Sequence, residues 1–206
     1  FSSNYAPNFG NLLTPLVDGI RVSGPFINKF GDKDLKLVLM DGEGLGHTPK
    51  SFSSLSTSIS KKFNMIDSLI LVDNAAQPAQ ATTTAALRNI VSSGHESKLS
   101  ICFTHFDDVN GPNIPSHKLK QDLVFRSIEA ALINIGDELD KRAERSLREA
   151  LDGNVFFLSN INEDLSDKKK FTINEIKKLI FNLETKILPK SIKEVHPYYD
   201  LTNLTI

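Results

Sequence analysis

Short, nearly unbroken apolar runs alternate with amphipathic segments from residue 35 to residue 188, and this alternation restricts the fold more than any other property of the chain. A strand covered on both faces reads as a continuous apolar run, whereas a helix laid on a sheet shows apolar residues three and four apart. Leu35–Asp41, Ser68–Val72, Leu99–Phe103 and Asn154–Leu158 are runs of the first kind. Between Val124 and Leu151, Ile128, Leu132, Ile135, Leu139, Ala143 and Leu147 recur at helical spacing, which predicts one long helix or two broken near Gly136. Pro78 stands where it can open a helix over Ala79–Val91, which ends before Gly94. Thr172-Ile-Asn-Glu175 reads as a capping box opening a helix with Ile176, Leu179, Ile180, Leu183 and Ile187 on one face, stopped by Pro189. Strand and helix in alternation predict an α/β fold, a mostly parallel sheet with helices on both faces. Gly19–Gly24 is expected to add an antiparallel strand near an edge, because the link Asn28–Asp34 is polar and turn-forming. Residues 1–18 read as a loop, and residues 45–64, rich in Ser, Thr and Lys, as a loop running into a helix.

Composition narrows the function classes. The chain of 206 residues suits one domain, with 40% hydrophobic and 24% charged residues. A net charge of -1 supplies no electrostatic pull toward nucleic acid or anionic lipid. Cys102 is the only cysteine, so no disulfide framework or thiolate metal cluster is available, and a cytoplasmic setting is expected. No stretch reaches the roughly 18 consecutive apolar residues of a membrane span, and no signal-peptide pattern occurs. The chain begins at Phe1, and its methionines, Met40 and Met65, lie deep in structured-looking sequence, which reads as a fragment of a longer protein.

In a parallel sheet flanked by helices, ligands bind outside the carboxyl ends of the strands. The informative residues stand there. Asp41-Gly-Glu-Gly44 ends one apolar run. A carboxylate at that place can hold Mg²⁺, which takes oxygen ligands and keeps part of its water. Gly44, with no Cβ, lets a backbone N–H approach a terminal phosphate. Taken by itself, the tetrapeptide is also an ordinary strand-ending turn. Thr104-His-Phe-Asp107 follows another strand. A carboxylate in such a loop can accept hydrogen bonds from the N1–H and exocyclic amine of guanine, which adenine cannot supply. Alone, Asp107 also reads as a helix cap or Asx-turn.

In order along the chain, these elements resemble a P-loop GTPase of the translation-factor and dynamin-like class, beginning just after the phosphate-binding loop. Asp41 and Gly44 match its DxxG motif, and Thr104 and Asp107 match its N/T-K-x-D base-recognition motif, with His105 in place of the lysine. Thr14 matches the switch threonine that completes magnesium coordination, and Ser159 and Asn160 lie where the third base-binding segment is expected. The spacings are 27 residues from Thr14 to Asp41, 63 from Asp41 to Thr104 and 55 from Thr104 to Ser159. The resemblance implies a three-layer P-loop NTPase-like fold, with residues 1–188 a partial G domain, residues 110–152 an enlarged helical region and residues 189–206 a lead into a following segment. It implies a protein that binds GTP with Mg²⁺, hydrolyses it when complete and changes shape, with a protein partner or a homodimer through the G domain. No Gly-Lys-Ser/Thr occurs in the chain, so the phosphate-binding lysine would have to lie upstream.

Leu45 follows the DxxG where many such enzymes carry a water-orienting glutamine, which leaves His47 as the titratable group nearby, able to orient or activate water. Two other readings remain. One keeps the fold without turnover, as an inactive G-like interaction scaffold. The other is a metal-dependent phosphatase or phosphodiesterase using Asp41 with His47, His95 and His105, which would need several ligands converging on metals about 4 Å apart. Asp73 reads as a strand-to-helix turn residue, Thr82–Thr84 as helix surface and Lys168–Lys170 as a solvated loop.

Overall fold

Leu99–Thr104 is the strand around which the rest is arranged. All its residues but the last are buried, because strands pair with it on both edges and helices cover both faces. The computed structural model describes residues 38–40, 62–111, 116–163, 165 and 169–187. In chain order they form β1 (Leu69–Asn74), α1 (Ala81–Ser92), β2 (Leu99–Thr104), α2 (His117–Glu138), α3 (Lys141–Leu151), β3 (Val155–Phe157) and α4 (Lys170–Ile187). The sheet order is β1-β2-β3, and both pairs are parallel. The register places Ile101 between Leu71 and Val155, and Cys102 between Val72 and Phe156. A parallel three-stranded sheet with helices packed on it makes this an α/β fold, as the alternation predicts.

Side chains alternate across a strand. Leu69, Leu71, Leu99, Ile101, Phe103 and Phe157 therefore share one face, where they join Leu87 and Ile90 of α1, Val124, Ile128, Leu132 and Ile135 of α2, and Leu147 and Leu151 of α3 in one apolar cluster. Ser100, Cys102 and Phe156 face the other way, toward α4. On that side the contacts include polar ones: Ser100 Oγ donates to Asn182 Oδ1 at 3.0 Å, and Lys186 Nζ donates to Ser100 Oγ at 2.8 Å and to the Leu99 carbonyl at 2.7 Å.

The long helical region is two helices, as one of the two expectations had it, and they divide at Leu139–Asp140, three residues beyond Gly136. Asp140 caps α3 by accepting the Ala143 N–H at 2.8 Å. Gly136 stays inside α2 because α3 crosses close over it: a Cβ there would stand 2.9 Å from the Cβ of Glu144. Glu144 is held on α2 and within α3 by Lys141 and Arg148, whose hydrogen bonds, Arg148's first, keep its carboxyl below the usual range. The two helices cover residues 117–138 and 141–151 of the region expected to be helical.

Three expectations are corrected. The capping box at Thr172 does not open α4, which starts at Lys170. Thr172 and Glu175 are instead buried and turned toward β3, where the Glu175 carboxylate accepts the Phe157 N–H at 3.1 Å; a backbone donor at the sheet edge takes the acceptor that the helix end does not use. Pro78 precedes the first turn of α1 but does not begin it: Ala79 adopts φ 56° and Gln80 is the N-cap. Of the run Leu35–Asp41, the described residues Val38, Leu39 and Met40 carry no strand pairing and are 77%, 74% and 53% exposed. An apolar run becomes a strand only where a ladder partner and a covering layer meet it, and among the described residues neither does. The expected strand Gly19–Gly24 lies outside the described residues. No described helix is long and apolar enough to cross a membrane.

Candidate functional site

The loops that leave β2 and β3 at their carboxyl ends meet. Beyond the strands the pairing continues, with the Leu158 N–H donating to the Phe103 carbonyl at 2.7 Å and the Phe106 N–H to the Leu158 carbonyl at 3.1 Å. Thr104 closes β2 against β1: its hydroxyl donates to the Asp73 carbonyl at 3.3 Å, and its carbonyl accepts the Ala75 N–H at 2.9 Å. His105 then adopts a left-handed conformation, φ 55°, uncommon for a residue with a Cβ. The chain turns sharply there, and the following residues divide between core and solvent. Phe106 is 1% exposed, stacked on Phe171 with ring centroids 5.5 Å apart, while Asp107 is left at the surface. The imidazole of His105 remains exposed, 3.4 Å from Asp108 Oδ2.

Asp107 faces the loop after β3. Its Oδ1 accepts the Asn160 N–H at 3.0 Å across 53 positions of sequence. Asn160 is itself left-handed, φ 49°. The Asn160 carboxamide, turned so that its nitrogen meets the carboxylate, donates to Oδ2 at 2.9 Å and Oδ1 at 3.1 Å; the reverse orientation would set oxygen against oxygen. Ser159 is fixed from α4, where the Thr172 hydroxyl accepts its N–H at 3.2 Å and donates to its carbonyl at 3.1 Å. A cleft of about 300 Å³ opens between these loops, lined by Asp107, Ser159 and Asn160 together with Lys120, Lys169 and Phe171.

Two lysines border this cleft. Lys120 Nζ donates to the Asp107 carbonyl and to Asn110 Oδ1, both at 3.3 Å. Lys169 Nζ donates to Glu163 Oε2 at 2.6 Å and to the Asn160 carbonyl at 3.4 Å. Chemically the cleft holds a surface carboxylate whose two oxygens accept N–H donors, here those of Asn160, with ammonium groups beside it. That suits recognition of a ligand edge bearing paired N–H donors.

Of the residues expected from the sequence to bind nucleotide, the structure thus brings Thr104, His105, Asp107, Ser159 and Asn160 to one corner, the first two by chain adjacency and the last three by direct contact or a shared cleft. Thr14, Asp41, Gly44 and His47 lie outside the described residues. Sequence reasoning missed Lys169, absorbed in a run read as a solvated loop, and Thr172, read as a cap. It also missed Lys120, whose place on α2 carries no motif. Asp73 keeps its turn role: its carboxylate accepts the Asn74 N–H at 2.9 Å and the Ala79 N–H at 2.8 Å. In the Thr82–Thr84 run, Thr83 is buried, not on the helix surface.

Of the histidines in the metal-dependent phosphatase reading, the described pair, His95 and His105, do not converge. His95 lies edge-on to Phe63 just before β2, and His105 follows its last residue. A six-residue strand separates them, about 20 Å at the usual rise. Among the described residues no group of three or more His, Cys, Asp or Glu side chains is placed to hold a metal ion. A larger groove of about 480 Å³ runs between α2, α3 and the start of β3, away from the carboxyl ends, and the Arg148–Glu129 ion pair lies across it. Comparison of the chain with protein-family models, with curated proteins and with solved structures finds no match in any of the three.

Proposed function

We infer that the chain carries the base-recognition corner of a guanine-nucleotide-binding domain, within a three-layer α/β fold of the P-loop type. The observation that carries the reading is the contact of Asp107 with Asn160, which brings two separately expected base-binding segments together across 53 positions. Their place at the carboxyl ends of adjacent parallel strands supports it, since ligands of open α/β sheets bind there. In this reading the Asp107 carboxylate accepts the N1–H and amine of guanine, Ser159 and Asn160 border the base, and His105 stands beside it. GTP would be held with Mg²⁺ through Thr14, Asp41 and Gly44, with His47 near the attacking water, and hydrolysis would drive a change of shape in the complete protein.

The test is nucleotide binding by the protein with its upstream sequence, comparing wild type with Asp107→Asn. The substitution replaces one acceptor oxygen by a donor, so GTP affinity should fall by about tenfold to a hundredfold, the weight of a hydrogen bond to a charged group. Affinity for xanthosine triphosphate should rise, because xanthine presents a carbonyl where guanine has its amine. Unchanged GTP affinity in the variant would refute the assignment. Tight binding with negligible turnover in the wild type would select a G-like interaction scaffold over an enzyme.

A further inference from the structure

We propose that the Asn160 side chain is a built-in competitor for the base, a latch that occupies the carboxylate fork of Asp107 until guanine displaces it. The proposal rests on the guanine-binding reading above and concerns how that site is regulated.

The amide nitrogen of Asn160 sits 2.9 Å from one carboxylate oxygen and 3.1 Å from the other. That is the position an N–H-bearing base edge must enter to reach both oxygens. A carboxamide NH₂ and the guanine amidine edge present the same chemistry, N–H donors in a plane, to the same acceptor. Both cannot be satisfied at once, because the nitrogen of Asn160 excludes another heavy atom from the fork. Adenine carries one exocyclic amine beside the lone pair of N1, which repels the second carboxylate oxygen, so it gains nothing by displacing the latch.

Three features hold the latch in place. The left-handed backbone of Asn160, φ 49°, turns its side chain back over Asp107. Its backbone N–H donates to the same carboxylate at 3.0 Å, and its carbonyl accepts from Lys169 Nζ and from the Glu163 N–H. The backbone ties survive when the carboxamide rotates away, so opening needs only a side-chain rotamer change, and the loop after β3 stays fixed by Thr172. The latch therefore sets affinity and selects against ligands without the paired donors, at little structural cost.

Asn160→Gly removes the carboxamide, keeps the backbone N–H and suits the positive φ. The probe is guanosine, with adenosine as control, titrated into the full chain and followed by NMR; a nucleoside engages the base corner without phosphate or metal. The latch predicts that guanosine binds Asn160→Gly about tenfold more tightly than wild type, the weight of one charge-assisted hydrogen bond no longer displaced, with adenosine unchanged. It also predicts that the Asn160 amide proton resonances move toward solvent values when guanosine is added to wild type, and in ligand-free Asp107→Ala. Guanosine binding that weakens or stays the same in Asn160→Gly overturns the latch and leaves the guanine reading intact. Guanosine bound by neither protein overturns both.

Discussion

Replacing Gly136 by alanine sets two effects against each other, and the structure decides which is larger. In a helix interior alanine is favoured over glycine by about 0.8–1 kcal/mol. Against this, the new Cβ would stand 2.5 Å from Glu144 Oε2, 2.9 Å from its Cβ and 3.2 Å from its Cδ. The carboxylate end can swing aside, at the loss of its hydrogen bond from Lys141. The Cβ of Glu144 cannot, since it is fixed by the α3 backbone, so the helices must separate by about half an ångström or more. Overpacking of this kind costs about 1–3 kcal/mol. The net expectation is destabilisation by about 1 kcal/mol, or about 2–4 °C in Tm for a chain of this size. The informative comparison repeats the substitution in a Glu144→Gly background, where the obstructing Cβ is gone; there Gly136→Ala should be stabilising. Urea unfolding followed by circular dichroism at 222 nm measures both. A stabilising Gly136→Ala in the wild-type background would refute the close crossing of α2 and α3.

Two further outcomes follow from a buried and a half-buried group on the α4 side of the sheet. Burial, aided by the Glu175 charge, raises the Cys102 thiol from 9.0 to about 11. Its thiolate fraction at pH 8 should then be about a hundredfold below that of an ordinary cysteine, and iodoacetamide should label it only as the protein unfolds; rapid labelling of the native chain would contradict its packing. Lys186 donates to neutral acceptors at Leu99 and Ser100, and burial lowers its pKa from 10.5 to about 8. Between those values the unfolded chain binds the extra proton, so stability should rise with pH from about 8 to 10.5. Below 8 both states are charged and the contribution is constant. The urea midpoint of wild type should climb over that window relative to Lys186→Met, and parallel curves for the two proteins would contradict the assignment.

The features legible in the sequence were those that depend on local pattern. The strands at Ser68–Val72, Leu99–Phe103 and Asn154–Leu158 were legible because a strand covered on both faces must be apolar throughout, and their ends located the loops bearing Asp107 and Asn160. The contact between those loops was not legible, since it depends on register between β2 and β3 and on two left-handed residues, His105 and Asn160, that no turn motif announces. Thr172 and Glu175 misled because the spacing of a capping box is local, while the groups they serve, Ser159 and the Phe157 N–H, come from another element. Leu35–Asp41 misled in its described part because apolarity shows that a segment can be buried, not that something is there to bury it.

The polar contacts between α4 and the sheet have a mechanical consequence. Thr172 grips Ser159, Glu175 grips Phe157, and Asn182 and Lys186 grip Ser100. From residue 172 to residue 186 these grips are spread over about 20 Å of helix axis at 1.5 Å per residue. A greasy interface lets a helix creep along a sheet by a fraction of a turn, because one methyl serves nearly as well as the next. Hydrogen bonds at fixed heights do not, since a shift of a single residue breaks every grip together. The helix is thereby indexed to β2 and β3 like a rack on its pinion, and a pull along its axis loads the loop that carries Asn160 directly.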